Sequence, residues 1–184
     1  SSLSQWRLRI DGEVMRPTTF SIGDLKRSFN PVKAALLIEC GGNGRAGYNP
    51  PARGNQWTLG AVANAYWTGV RYRDVLNAVG IKPSAIYTGH YGADQHLSGD
   101  PEKVVISRGV PVEKAMQSDT ILAFEMNGEP IPLTHGAPLR AVVPGWPGSA
   151  SQKWLNRITV RDQVHDGPKM TGKSYRVPAR PVAP

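Results

Sequence analysis

A chain of 184 residues that is 40% hydrophobic can bury a core of its own, which argues against a disordered polypeptide. Twenty glycines and sixteen prolines favour turns, short strands and shaped loops over a helical bundle. The formal charge of +8 favours anionic ligands, but the basic residues are scattered and form no nucleic-acid module; a lone cysteine excludes an internal disulfide, and no apolar stretch is long enough for membrane insertion.

The segment "WRLRIDGEV" alternates apolar and polar residues and then turns at Asp11-Gly12, the pattern of a hairpin strand. In "FSIGDLKRSF", Ser21 with Asp24 three residues later marks a helix start of the capping-box kind. "KAALLIEC" is a short apolar run that suits a buried strand. "WTGVRYRDVLNAVGI" sets Val75, Leu76 and Val79 at helical spacing, with Gly80 as the C-terminal cap. "TILAFEMNGEPIPL" holds two extended runs around Asn127-Gly128, the strongest short hairpin signal in the chain. "PLRAVVPG" and "KWLNRITVRD" read as two more strands, separated by the loop "GWPGSASQ". Many short strands with a few helices out of alternation predict an α+β fold with mixed β-sheets rather than a doubly wound one. The final "RVPARPVAP" has the composition of a linker, so a parent chain is expected to continue beyond it.

Gly42, Gly44 and Gly47 spell G-x-G-x-x-G after a strand, the mark of a dinucleotide-binding turn. Such a turn must open directly into a helix, whose free amides hold the pyrophosphate. Here Pro50 and Pro51 follow within a few residues and block a helix. The acidic residue that the fingerprint needs some 20 residues on is also absent. Cys40 ends the apolar run, and Arg45 stands in the same loop. A lone cysteine is most often a small buried hydrophobe. An arginine five residues away suits a stabilised thiolate and a bound anion. None of His90, His96, His135 and His165 stands in a recognised cysteine-protease context. A soft thiolate ligand to a single metal remains open.

The wording of the chain carries a family resemblance. "ECGGNGRAGYNPPARGNQWTLGAVANAYWTGVRYRDVL" resembles the C-[AS]-G-N-x-R segment of the sulfite oxidase family and its following W-x-x-G-A block. "AFEMNGEPIPLTHGAPLRAVVPG" and "SQKWLNRITV" are similar to later blocks of the same family, in the same order. The proline-bearing loop and "WTGVR" look most like the bacterial sulfite dehydrogenases. The resemblance implies a molybdopterin-binding domain over 1–184, holding molybdenum with one pyranopterin dithiolene and no haem in this chain. It implies that Cys40 ligates the metal, that Arg45 binds the oxyanion, and that Tyr175 hydrogen-bonds the anion or relays a proton. Asp94, His135, Arg140 and Lys153 match the positions that hold the pterin and its phosphate. Met170 stands where the family has a tryptophan.

The family's N-terminal arginine and histidine block and its C-terminal dimerisation domain have no counterpart in this sequence. A fragment of a larger protein is therefore expected, with a homodimer formed through the missing domain, and the fragment alone is expected to bind cofactor weakly or to be inactive. The implied function is molybdenum-dependent oxidation of sulfite, or a related sulfur oxyanion, to sulfate, with electrons passed to a cytochrome c in the periplasm. A nitrate reductase-type domain and a non-catalytic module binding cofactor or anion are the alternatives. No nucleic-acid partner is expected.

Overall fold

The alternation of Leu8 and Ile10 with Arg7 and Arg9 becomes strand β1 (Arg7–Gly12) of a computed structural model, which describes residues 3–103, 105–168 and 170. Leu8 and Ile10 point into the core. β2 (Thr18–Ser21) pairs antiparallel with β1 from Arg7↔Ser21 to Ile10↔Thr18. The hairpin exists, but its connection is residues 13–17, because Asp11 and Gly12 are still strand. Asp11 is buried there and held by Arg9, Arg157 and the Thr159 hydroxyl. β10 (Leu155–Arg161) runs parallel to β1, while β5 (Tyr87–Gly92) and β6 (Ser107–Pro111) follow antiparallel. The first sheet is thus mixed, in the order β2-β1-β10-β5-β6.

The second sheet is antiparallel: β3 (Pro31–Glu39), β4 (Val62–Arg71), β7 (Ile121–Met126) and β8 (Glu129–Pro130), with β9 (Arg140–Val142) also on β7. The apolar run expected to be a buried strand is an edge strand instead. Val32, Leu36 and Ile38 of β3 pack on a cluster around Trp67 and Ile121, whereas the alternate residues, Ala35 and Leu37 among them, lie exposed. Period-2 burial explains this: nothing among the described residues covers the outer face. At Asn127-Gly128 the chain turns between β7 and β8 with φ of 55° and 86°, the two positive values a tight type I′ hairpin requires.

Among the described residues three short α-helices complete the fold: α1 (Ile22–Ser28), α2 (Tyr72–Val79) and α3 (Val112–Ala115). The expected capping box opens α1. Asp24 N–H donates to Ser21 Oγ, and Ser21 N–H donates back to the Asp24 carboxylate. α2 buries Tyr72, Val75, Leu76 and Val79 in the main core, beside Leu8 and Ile10 of one sheet and Val70 and Leu122 of the other. Gly80, with φ of 70°, caps it through its N–H to the Leu76 and Asn77 carbonyls.

After β10 the chain folds back across the first sheet, and His165 is buried over Gly89 and Gly109. Ser107 donates its hydroxyl proton to His90 O at 2.9 Å, so His165 Nε2–H must donate to Ser107 Oγ at 2.6 Å. His165 Nδ1 then accepts from Arg161 at 3.0 Å. The neutral imidazole satisfies both partners. His90 is fully buried, with Tyr72 Oη and Thr88 Oγ1 within hydrogen-bond distance of Nε2.

Burial pushes both histidines down to about 4, helped at His90 by the His165 charge and at His165 by Arg161. Because the folded values lie below the unfolded value near 6.5, the unfolded chain binds more protons between these limits. Stability is therefore complete above pH 6.5 and declines as pH falls towards 4, by on the order of 3 kcal/mol per histidine. Urea unfolding at pH 7 and pH 4.5 measures it. His165→Gln is expected to flatten the slope by roughly half, and equal midpoints at the two pH values for the unsubstituted protein would refute the assignment.

Candidate cofactor site

The long β3–β4 ladder, from Pro31↔Val70 to Glu39↔Val62, delivers Cys40 to its end. Cys40 N–H donates to Ala61 O at 2.9 Å, one further rung, after which the thiol emerges exposed. Gly42 N–H points at Cys40 Sγ at 3.4 Å, a donor that favours a thiolate. Asn43 closes the loop. Its N–H donates to Cys40 O, its Oδ1 accepts from Ala61 N–H at 2.9 Å, and its Nδ2 donates to Glu39 Oε1 at 2.8 Å. The bend continues into a short 3-10 turn, Arg45–Gly47, and not into the helix a dinucleotide would need.

Arg45 lies beside the cysteine loop, its guanidinium packed against Gly42 and Gly54 and donating to Asn55 O at 3.0 Å. This contact braces the 42–55 segment. It leaves guanidinium N–H groups over for an anion, although Arg45 does not line the clefts described next.

Cys40 borders two clefts. One, of about 340 Å³, is walled by Glu39, Asn43 and Trp146; the other, of about 420 Å³, by Ala61, Gly148 and Ser149. A third, of about 160 Å³, is lined by Asp94, Arg140, Gln152 and Lys153, and it shares Gly148 and Ser149 with the second. The loop 145–151 therefore stands between the thiol and the basic cleft. It reaches Cys40 because Pro147 bridges Glu39 and because Gly148 has no side chain: a Cβ there would sit 2.9 Å from Glu39 O and 3.0 Å from Ile38 Cγ2.

Asp94, Arg140 and Lys153, expected from the sequence to act together, do line one cleft. His135 is exposed on the adjoining 3-10 turn, Leu133–His135. That turn is held by three side chains in succession. Trp154 Nε1 donates to Leu133 O, Lys153 Nζ to Thr134 O and Arg140 Nη1 to His135 O, at 2.8, 2.9 and 2.7 Å. Arg140 also donates to Ser151 O at 3.0 Å and stacks on Trp67. The two cations thus build the frame of the cleft first, with N–H groups left over for a ligand. Burial pushes Arg140 down to about 10, still protonated at neutral pH. Lys153 is lowered by burial and by Arg140, an effect that the Asp94 carboxylate opposes.

Tyr175 lies outside the described residues. Two contributions were not foreseen: the 145–151 loop as the partition of the site, and Gln152, whose buried side chain lines the basic cleft. The only sequence signal was the glycine- and proline-rich wording "GWPGSASQ" between two strands, where functional loops are commonly set.

Comparison with known proteins bears on the family and the fold. Residues 1–169 match the model of the oxidoreductase molybdopterin binding domain. The chain is 35% identical over 161 residues to sulfite oxidase of Gallus gallus, covering 85% of this chain and 35% of that enzyme. It is equally 35% identical over 161 residues to nitrate reductase [NAD(P)H] of Hordeum vulgare, covering 18% of that enzyme. Among solved structures, the sulfane dehydrogenase SoxCD of Paracoccus pantotrophus superposes with a TM-score of 0.74 at 34% identity, over 89% of this chain and 40% of that one. The chain therefore spans about a third or less of these curated relatives.

The close approach at residue 148 is directly testable. Gly148→Val places methyl groups against the Glu39 carbonyl and is expected to lower stability by roughly 1–3 kcal/mol. Hydrogen exchange should quicken at Ser151 and at the Cys40–Ala61 rung. Unchanged exchange at both would mean that the loop is not braced against β3.

Proposed function

The chain belongs to the oxidoreductase molybdopterin-binding domain family, and from that membership we propose that it oxidises sulfite, or a related sulfur oxyanion, to sulfate and passes the electrons to a cytochrome c. The observation that carries the reading is the exposed Cys40 thiol, held by a backbone amide at the edge of a cleft that adjoins one lined by Arg140, Lys153 and Asp94. The donor set fits the family cofactor. A thiolate suits molybdenum, two partly committed cations suit a phosphate, and a carboxylate with a buried amide suits the N–H groups of a pterin. Cys40 would bind the metal, Lys153 and Arg140 the phosphate with His135 beside them, and Asp94 the pterin. When bound, the cofactor supplies two-electron oxygen-atom chemistry and one-electron release to an acceptor.

The remaining work falls to this chain. The overall change joins sulfite and water to give sulfate, two protons and two electrons. Arg45, held by the Asn55 carbonyl outside the clefts that Cys40 borders, is assigned the oxyanion, because paired guanidinium donors match oxyanion geometry. Tyr175 is assigned the hydrogen bond to the anion or the transfer of a proton. The cysteine loop stays in place because Asn43 ties it to both strands.

Likeness to animal sulfite oxidases and to the sulfane dehydrogenase favours a sulfur substrate; the cytochrome c acceptor and the periplasmic location rest on the resemblance of the sequence to bacterial sulfite dehydrogenases alone. Dimerisation through a further domain belongs to the same reading. Nitrate reduction is the second reading, on the strength of the barley and Emericella nidulans relatives.

Protein produced with its flanking sequence in a cofactor-competent host should contain molybdenum and reduce cytochrome c when sulfite is added. Cys40→Ser should lower that rate by more than the ~10–100-fold typical of partners one step removed from a metal. Absence of molybdenum, or turnover of nitrate with none of sulfite, would sink the proposal.

A further inference from the structure

Beyond β10 the described residues form neither strand nor helix, and within 162–168 His165 is the one buried side chain. Asp162, Gln163, Val164, Asp166 and Pro168 are all exposed, so the apolar burial that holds other segments in place is missing here. Room for the imidazole is made by a facing glycine pair, Gly89 on β5 and Gly109 on β6. A Cβ at Gly89 would stand 2.6 Å from His165 Nδ1, one at Gly109 would stand 3.0 Å from His165 Cβ, and one at Gly167 would strike Nε2. The Tyr91 ring meets the imidazole edge-on, with 5.6 Å between ring centres.

Hydrogen bonds hold the ring in this slot. Ser107 Oγ donates to His90 O and accepts from His165 Nε2–H, while Arg161 Nη1 donates to His165 Nδ1. Both ring nitrogens are thus used in the neutral form, one as donor and one as acceptor. A further proton must go on Nδ1, where it would face a guanidinium N–H across 3.0 Å. The charged and titratable groups around the ring are Arg161 of β10, Arg108 of β6, His90 and Tyr91 of β5, and Asp166 of the segment itself. Two cations therefore stand against one carboxylate, and that carboxylate is 64% exposed and already paired with Arg161. An imidazolium here loses a hydrogen bond and meets two repulsions. Two further ties of the segment, Arg161 to Asp166 and Arg108 to the Pro168 carbonyl, run through the same two guanidinium groups.

We infer that His165 is a proton-operated latch: neutral, it pins residues 162–168 to the first sheet, and a proton on Nδ1 releases that segment while the two sheets stay folded. Release is local because no residue of 162–168 belongs to the main core. The latched ring takes its proton only near pH 4, whereas the released ring titrates near 6.5. The latch is therefore fully closed above pH 6.5 and loosens as pH falls towards 4. The segment it controls continues in sequence to Tyr175.

The chain with its flanking sequence is exposed to proteinase K, which cuts at both acid and neutral pH. Each rate is divided by that of an unstructured peptide spanning 160–170, and cuts within 162–168 are mapped by mass. From pH 7 to pH 4.5 their rate in the unsubstituted protein is expected to rise on the order of 50-fold, ahead of any cut in β5 or β10. His165→Gln, which keeps a hydrogen bond in the slot and cannot take a proton, is expected to show no rise. His165→Ala is expected to be cut fast at both pH values. A flat rate in the unsubstituted protein, an equal rise in His165→Gln, or cuts in β5 and β10 as fast as those in 162–168 would each overturn the latch. The imidazole nitrogen shifts of His165 supply a reading that needs no variant. The neutral ring is expected in the Nε2–H form, protonating well below pH 6.5; an Nδ1–H ring, or one that titrates near 6.5, would overturn the proposal as well.

Discussion

The site depends on one close approach, that of Gly148 to the carbonyl of Glu39. Cys40 belongs to the β3–β4 hairpin, whereas Arg140, Gln152 and Lys153 belong to the chain that runs from β9 into β10. Among the described residues β9 does not pair with β3 or β4 and joins their sheet only through β7. They meet because the 145–151 loop lies against the end of β3 at a distance only a residue without a side chain permits, and Gly148 and Ser149 then form the common wall of adjoining clefts. The rest of the molecule positions these two pieces: the main core locks the sheets together through α2, and the cluster around Trp67 supports the inner face of β3.

Around that junction, cations serve twice. The 133–135 turn presents three carbonyls in succession, and Trp154, Lys153 and Arg140 each take one. A guanidinium with five donors and an ammonium with three can brace a loop and still address a ligand, which neutral side chains of similar reach cannot do. Arg45 does the same on the cysteine side, spending one donor on Asn55 O. Charge is thereby fixed in direction before any anion arrives, and an anion meets donors already oriented.

Local signals in the sequence were reliable where the responsible interactions are local. The capping box at Ser21 and Asp24, the cap at Gly80, the spacing of Val75, Leu76 and Val79, and the turn at Asn127-Gly128 each involve residues a few positions apart, and each appears as expected. The absence of a dinucleotide turn is local for the same reason: after Gly47 the backbone runs on toward two prolines without forming a helix. The errors lie where burial is decided at a distance. The apolar run before Cys40 looked like a buried strand, but whether both faces of a strand are covered depends on elements remote in the chain. The turn after β1 looked tight, but β10 and Thr159 hold Asp11 and Gly12 in the sheet.

The site residues divide along the same line. From the sequence alone came the chemistry: a single thiol in a glycine-rich bend with an arginine nearby, and the order of blocks that resembles the sulfite oxidase family. Residue type and spacing suffice for that, because a soft ligand and a bidentate cation are properties of side chains. Tertiary structure alone decided that Asp94, Arg140 and Lys153 share a cleft, that the 145–151 loop divides it from Cys40, and that Gln152 is sealed beside them with an acceptor to spare. Those facts follow from which backbones can approach and which donors are already spent, and neither is written in any one segment of the chain.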